Sequence, residues 1–183
     1  MNNIAFIDLE IDGRGKIVDA GAVKAGKSIH TSRIADFVNF ISDADFLCGH
    51  NITEHDYKYL RPFLSRDYKL IDTLYLSPLM FPRKPYHKLL KDDKLLSDEL
   101  NNPLNDAVKA KELFEDEVNA FHDIDKRMQR IYYDLTSDDI HFNGFFDYVG
   151  YLPERRLFFL KKSTADNVKE ELDGKICANA DVN

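Results

Sequence analysis

The chain has 183 residues, 44% hydrophobic and 31% charged, which is enough to bury one sizeable core and too apolar for an intrinsically disordered segment. No apolar run approaches the roughly 20 residues of a membrane-spanning helix. Met1-Asn2-Asn3 leads straight into a strand-like run, without the basic and apolar regions of a secretory signal. The net charge of −7 argues at first against a polyanionic ligand, but the charge is unevenly spread. Between Lys58 and Lys91 stand eight basic residues and only two acids, Asp67 and Asp72, so that segment is +6 and the remainder −13. Screening limits the reach of distant charges to about 8–10 Å, so a local basic segment can meet phosphates on an acidic protein. Cys48 and Cys177 lie far apart with no metal-type spacing, and free thiols in a reducing cytoplasm are expected.

Ile4 to Leu9 (IAFIDL) is an apolar run ending beside an acid and reads as a buried strand. Lys16 to Val23 reads as a second strand, joined to it by the turn Asp12-Gly13-Arg14-Gly15, with Ser28 to Thr31 as an edge strand. Ile34, Phe37, Val38 and Ile41 recur at helical spacing after Thr31-Ser32, which could cap that helix. Phe46 to Gly49 reads as another buried strand, followed by a helix over about Thr53 to Leu64 and a short strand from Lys69 to Ile71. Asn102-Pro103 has the form of a helix start, with Ala107, Ala110, Phe114 and Val118 on one face beyond it. The expected architecture is an α/β mixed sheet flanked by helices over residues 1–119. Residues 120–183 form a C-terminal appendage with a helix over Ile124 to Leu135, the aromatic stretch Phe142 to Tyr151, and a polar end.

Four acids make a coherent set. Asp8 and Glu10 stand two apart at the end of the first strand, so their side chains share one face. Asp56 falls in the helix after Cys48-Gly49-His50-Asn51, and Asp106 in the first turns of the later helix, bordering its apolar face. Carboxylates converging at a sheet edge repel one another unless cations lie between them, and an all-oxygen set suits magnesium or manganese rather than zinc.

Phe6-Ile7-Asp8-Leu9-Glu10, with Ile17 to Val23 behind it, resembles the first motif of the DEDD-type exonucleases, the superfamily of polymerase proofreading subunits. Gly49-His50-Asn51-Ile52-Thr53-Glu54-His55-Asp56 with Leu60 resembles the second. Ile71-Asp72-Thr73-Leu74 and Leu104-Asn105-Asp106-Ala107 are similar to the elements that follow. Four elements stand in the family's order over about 115 residues.

The resemblance implies a ribonuclease H-like fold and a metal-dependent 3′–5′ exonuclease, acting on single-stranded or frayed DNA or RNA ends and releasing nucleoside 5′-monophosphates. By the same resemblance Asp8, Glu10, Asp56 and Asp106 would hold two Mg²⁺ or Mn²⁺ ions, Leu9 and Glu10 would help seat the terminal nucleotide, and Asn51 would line the groove.

The chain departs from the family at its general base. The catalytic histidine of one subfamily stands five positions before the last acid, where this chain has Asn101. The tyrosine of the sister subfamily stands four before, where it has Asn102. Asparagine accepts no proton near neutral pH, and loss of a general base typically costs about 10²–10⁴-fold. His87 and His55 are the candidate substitutes, and His87 also falls in the basic, substrate-facing segment. The alternative is a weak or inactive module that grips nucleic acid or docks a helicase, using that segment with Tyr59, Tyr68 and Tyr86 for base stacking. A third possibility is an interaction domain built on the aromatic stretch.

Asp72 to Asn105 further resembles the exonuclease-like domain at the front of some large bacterial RecQ-like helicase proteins. That likeness implies a covalently linked helicase partner, with residues 120–183 as the connector. No membrane partner is expected.

Overall fold

Three strands divide their apolar side chains between two cores, and that division builds the fold. The computed structural model describes residues 3–87, 89, 102–153 and 169–171. Along β1 (Ile4–Ile11), Ala5, Ile7 and Leu9 enter one core cluster and Phe6 enters the other, as the two-residue period of a strand requires. The same alternation sends Leu47 of β4 (Phe46–Gly49) to the first cluster and Phe46 and Cys48 to the second. In β5 (Lys69–Asp72), Leu70 and Ile71 divide likewise.

With β2 (Ile17–Lys24) and β3 (Lys27–Thr31), these strands form a five-stranded mixed sheet in the order β3-β2-β1-β4-β5. The β1–β2–β3 meander is antiparallel, and β4 and β5 run parallel to β1. The α/β class with helices flanking a mixed sheet is therefore as expected, and the arrangement is compatible with a ribonuclease H-like fold.

Helix α1 (Ile34–Ile41) closes the first cluster with Phe37 and Ile41. Its N-cap is Arg33, whose N–H donates to Thr31 Oγ1 at 3.0 Å, so the expected Thr31-Ser32 cap acts one residue further out. The expected helix from Thr53 to Leu64 is shorter: α2 spans Asp56–Leu60, and Arg61–Phe63 tightens into a 3₁₀ turn at Pro62. Helix α3 (Thr73–Met80) was not anticipated, because Pro78 stands within it and proline normally interrupts a helix interior. Asp72 compensates at its start, accepting the Leu74 N–H at 3.0 Å.

Helix α4 (Pro103–Asp123) begins as the sequence suggests, with Asn102 accepting from the Leu104 N–H at 3.0 Å and Pro103 in its first turn. It lies across β1 and β2, and Gly21 makes that approach possible: a Cβ there would stand 2.2 Å from Leu104 N.

The boundary expected at 119/120 falls inside α4, and the same core continues beyond it. Met128, Ile131 and Tyr132 of α5 (Lys126–Thr136) join the second cluster with Phe145 and Phe146 of α6 (Asn143–Val149). Phe121 meets Phe145 edge-on at 5.2 Å, and Tyr132 Oη donates to the Leu79 carbonyl at 2.8 Å. α6 packs on β5 so closely that a Cβ on Gly144 would lie 2.0 Å from the Leu70 carbonyl oxygen. Among the described residues, no helix is long and apolar enough to cross a membrane.

One buried group runs against this packing. Glu117 of α4 is 0% exposed, and neither carboxyl oxygen has a hydrogen-bond partner among the described residues. Burial, helped by the nearby Asp72 charge, pushes its pKa up to about 10. The folded chain therefore keeps a proton that the unfolded chain releases near the ordinary value of 4.5. Stability from this position falls as pH rises from that value towards about 10. Glu117→Met should flatten this slope, leaving stability near pH 4.5 little changed and raising it by about 1–3 kcal/mol at pH 8. Denaturant melts at the two pH values check this.

Candidate functional site

The site is built where β1 outruns β4. Pairing between the two covers only Ile4 to Phe6 on β1, so the backbone groups beyond lose their ladder partners on that side. Asp56 reaches into the gap from the start of α2, and its Oδ1 accepts the Leu9 N–H at 2.9 Å. This bond fixes the Asp56 carboxylate beside the backbone of the residue between Asp8 and Glu10. On the other side of β1, Asp8 stands opposite Gly21 and Glu10 opposite Asp19, and the register shifts between Glu10 and Ile11. Such an irregularity bends a strand and re-aims its side chains. Asp19 is drawn aside by His30, whose Nε2 lies 2.7 Å from Asp19 Oδ2.

Asp106 comes from α4. The first turn of that helix rests on Gly21, the residue paired with Asp8, so Asp106 enters from above the same stretch of sheet. Asp8 and Glu10 share the strand face of Phe6, which packs on Phe114 of the same helix at 5.8 Å between ring centroids. Asp8, Glu10 and Asp106 are half-buried, and Asp56 is 2% exposed.

Burial pushes the Asp56 carboxyl above the ordinary carboxylate range, opposed by His55 and by the Leu9 N–H. His55 Nδ1 lies 3.7 Å from Asp56 Oδ1, and that contact draws the imidazole upward against partial burial, with the Glu10 charge adding to the effect. The charges of Asp72 and Asp106 both reach His50, whose pKa burial nevertheless lowers. Glu10 and Asp56 thus share His55, while Asp106 and Asp72 share His50. Among the described residues, no group of three or more His, Cys, Asp or Glu side chains is already gathered at metal-holding distances.

The other expected site residues divide. The Leu9 side chain is 3% exposed inside the first core cluster, so its backbone rather than its side chain lies at the site. Asn51 stands on the loop after β4 with φ of 68°, a left-handed conformation that asparagine tolerates better than most residues. His87 is held against α3, with Nδ1 3.0 Å from Ser77 Oγ, and burial lowers its pKa. Of the two substitute bases, His55 is the one in contact with the acid set. Asn102 is occupied as a helix cap, and Asn101 lies outside the described residues, as do residues 90–100 of the helicase-like stretch.

Much of the basic segment is engaged internally. Arg61 pairs with Asp67 at 2.6 Å and Lys69 with Asp147 at 2.7 Å. Arg66 bonds the Ser42 and Ala44 carbonyls and lies over the Tyr68 ring. Lys58 lies over Tyr59, one turn along α2 from the Asp56 neighbourhood, at 4.8 Å from the ring centroid.

Asp72 escaped the sequence reading as a site-building residue. It is 0% exposed, and besides capping α3 its Oδ1 accepts the Asn51 N–H at 2.8 Å and its Oδ2 the Thr53 N–H at 3.0 Å. One carboxylate thus anchors the loop that leads to Asp56. Asp72→Ala leaves three amides without their acceptor and should destabilise the fold by about 2–4 kcal/mol, measured by denaturant titration. A smaller change, Gly21→Ala, should displace the first turn of α4 and cost about 1–3 kcal/mol in the same assay.

No family model matches the chain, and no curated protein matches it.

Proposed function

We propose that this chain is a metal-dependent 3′–5′ exonuclease domain acting on single-stranded or frayed nucleic-acid ends. The observation that carries the proposal is the 2.9 Å bond from the Leu9 N–H to Asp56, which brings a carboxylate 47 residues away in sequence to the Asp8–Glu10 strand end. The Asp56 carboxyl is nearly fully buried, and burial raises its pKa, a cost that a divalent cation beside it would relieve. The donors are all oxygens, which fits magnesium or manganese.

Asp8, Glu10, Asp56 and Asp106 would hold the two ions. When bound, such ions lower the pKa of a coordinated water and offset charge developing at the scissile phosphate. Asp56 is oriented by the Leu9 amide, and α4 is pinned by its close approach to Gly21, so two of the four acids are positioned by backbone rather than by flexible side chains. His55 is the residue we assign to proton transfer, because it is half-exposed and touches Asp56.

A binding module without turnover is the second possibility, favoured by Asn102, which caps a helix instead of supplying a base. It draws its grip from the basic segment, where Arg61, Arg66 and Lys69 are already committed to internal contacts. The nuclease therefore remains the better reading.

With manganese and a 5′-labelled single-stranded oligonucleotide, DNA or RNA, the chain should shorten the substrate from its 3′ end. EDTA and Asp8→Ala should abolish the reaction. His55→Gln should reduce the rate by about 10²-fold or more, and His87→Gln should leave it nearly unchanged. Salt-sensitive binding with no cleavage in manganese would establish the binding module instead.

A further inference from the structure

The turn between α5 and α6 reaches back to the loop that presents Asp56. His141, in that turn, meets a carboxylate at each ring nitrogen: Nδ1 lies 2.7 Å from Asp139 Oδ1, and Nε2 lies 3.1 Å from Glu54 Oε1. Its ring stacks on Tyr75 of α3 at 4.0 Å between centroids and 29° between planes. Asp139 also accepts the His141 backbone N–H at 2.8 Å, which fixes the turn. Phe142 meets the same Tyr75 ring edge-on at 6.3 Å.

Ionised carboxylates only accept hydrogen bonds, so both nitrogens must donate for both contacts to hold. That condition is met by the imidazolium and by neither neutral tautomer. Glu54 stands two residues before Asp56, in a loop closed by the His55 N–H to the Asn51 carbonyl at 2.9 Å and the Tyr57 N–H to the Ile52 carbonyl at 2.9 Å. Asp72 holds the front of this loop through Asn51 and Thr53, and His141 holds its far end through Glu54.

We propose that His141 is a positioning residue for the candidate site, a latch through which the turn between α5 and α6 holds the 51–55 loop and hence the Asp56 carboxylate against β1. The consequence for catalysis rests on the nuclease reading above; the latch itself does not. The charged groups facing the imidazole are Asp139 from its own turn, Glu54 from the loop and Asp72 from β5, with the uncharged Tyr75 from α3. Partial burial pulls the imidazole pKa down, and the Asp139 and Glu54 contacts outweigh it, so the net shift is upward. The latch is therefore closed at and below the ordinary histidine range. It opens as pH rises through the raised value, when one nitrogen turns a lone pair on a carboxylate.

Hydrogen exchange on the full chain, without metal or substrate, tests the latch. After correction for intrinsic rates, the amides of residues 51–57 should lose protection by about three- to tenfold between about pH 5.5 and about pH 8.5. His141→Gln and Glu54→Gln should each show the loosened level at both pH values, and combining them should add nothing further. Glu54→Gln should also lower the His141 pKa followed by NMR. Protection in the 51–57 amides that is flat with pH, or unchanged in both variants, overturns the proposal. If the chain cleaves, the variants should lose turnover mainly at low pH, where only the parent chain is latched. If it cleaves nothing in manganese, the nuclease reading falls and the exchange result still decides the latch.

Discussion

The strand ladder between β1 and β4 stops at Phe6, and the rest of the candidate site follows from how the open amides beyond it are satisfied. A buried N–H without an acceptor is costly, and here a side-chain carboxylate takes the place of the missing strand at Leu9. The same bond that completes the backbone places an acid in a nearly dry position, where its charge is poorly solvated. Structural need and chemical potential thus meet in one contact. Asp72 repeats the pattern one strand further out, satisfying three amides of the next loop and helix with one buried carboxylate.

What could be read from the sequence was what depends on local periodicity. IAFIDL and FLCG announce buried strands because both faces of the sheet are covered, and Asn102-Pro103 announces a helix start because cap and first turn are adjacent in sequence. The four acids are named by short motifs, and of their expected convergence the fold displays the contact of Asp56 with the Leu9 N–H. Local signals failed where tertiary contacts override propensity. Pro78 concealed α3, whose start is stabilised by Asp72 and whose Leu76 and Met80 are needed in the second core. The Glu54–His141 contact spans 87 residues and leaves no trace in either segment. The Leu9 side chain shows the converse failure: its position in the motif suggests a substrate contact, while strand alternation sends it into the core.

Glu117 shows what the core tolerates. It occupies a helix face otherwise given to Ala107, Ala110, Phe114 and Phe121, and it keeps its proton there with no hydrogen-bond partner among the described residues. Its neighbours include Cys48, whose thiol burial pushes well above the ordinary range, with the Asp72 charge adding to the effect. That cysteine is an inert packing residue, in agreement with its expected role as a free structural thiol.

The close seat of α6 on β5 bears on how this chain behaves when it is cut. A sheet of five strands has two lateral edges, and an uncovered edge is a template for pairing with another chain. At β3 the edge is short and begins with Lys27 and Ser28, a polar rim that discourages such pairing. At β5 the protection is α6 itself, pressed in until Gly144 meets the Leu70 carbonyl. A fragment ending near residue 119 would strip that cover and bare Phe46, Ile71 and Phe114 beside an open strand. Its fate would be intermolecular β-assembly, so the helices beyond α4 act as the domain's guard against its own aggregation.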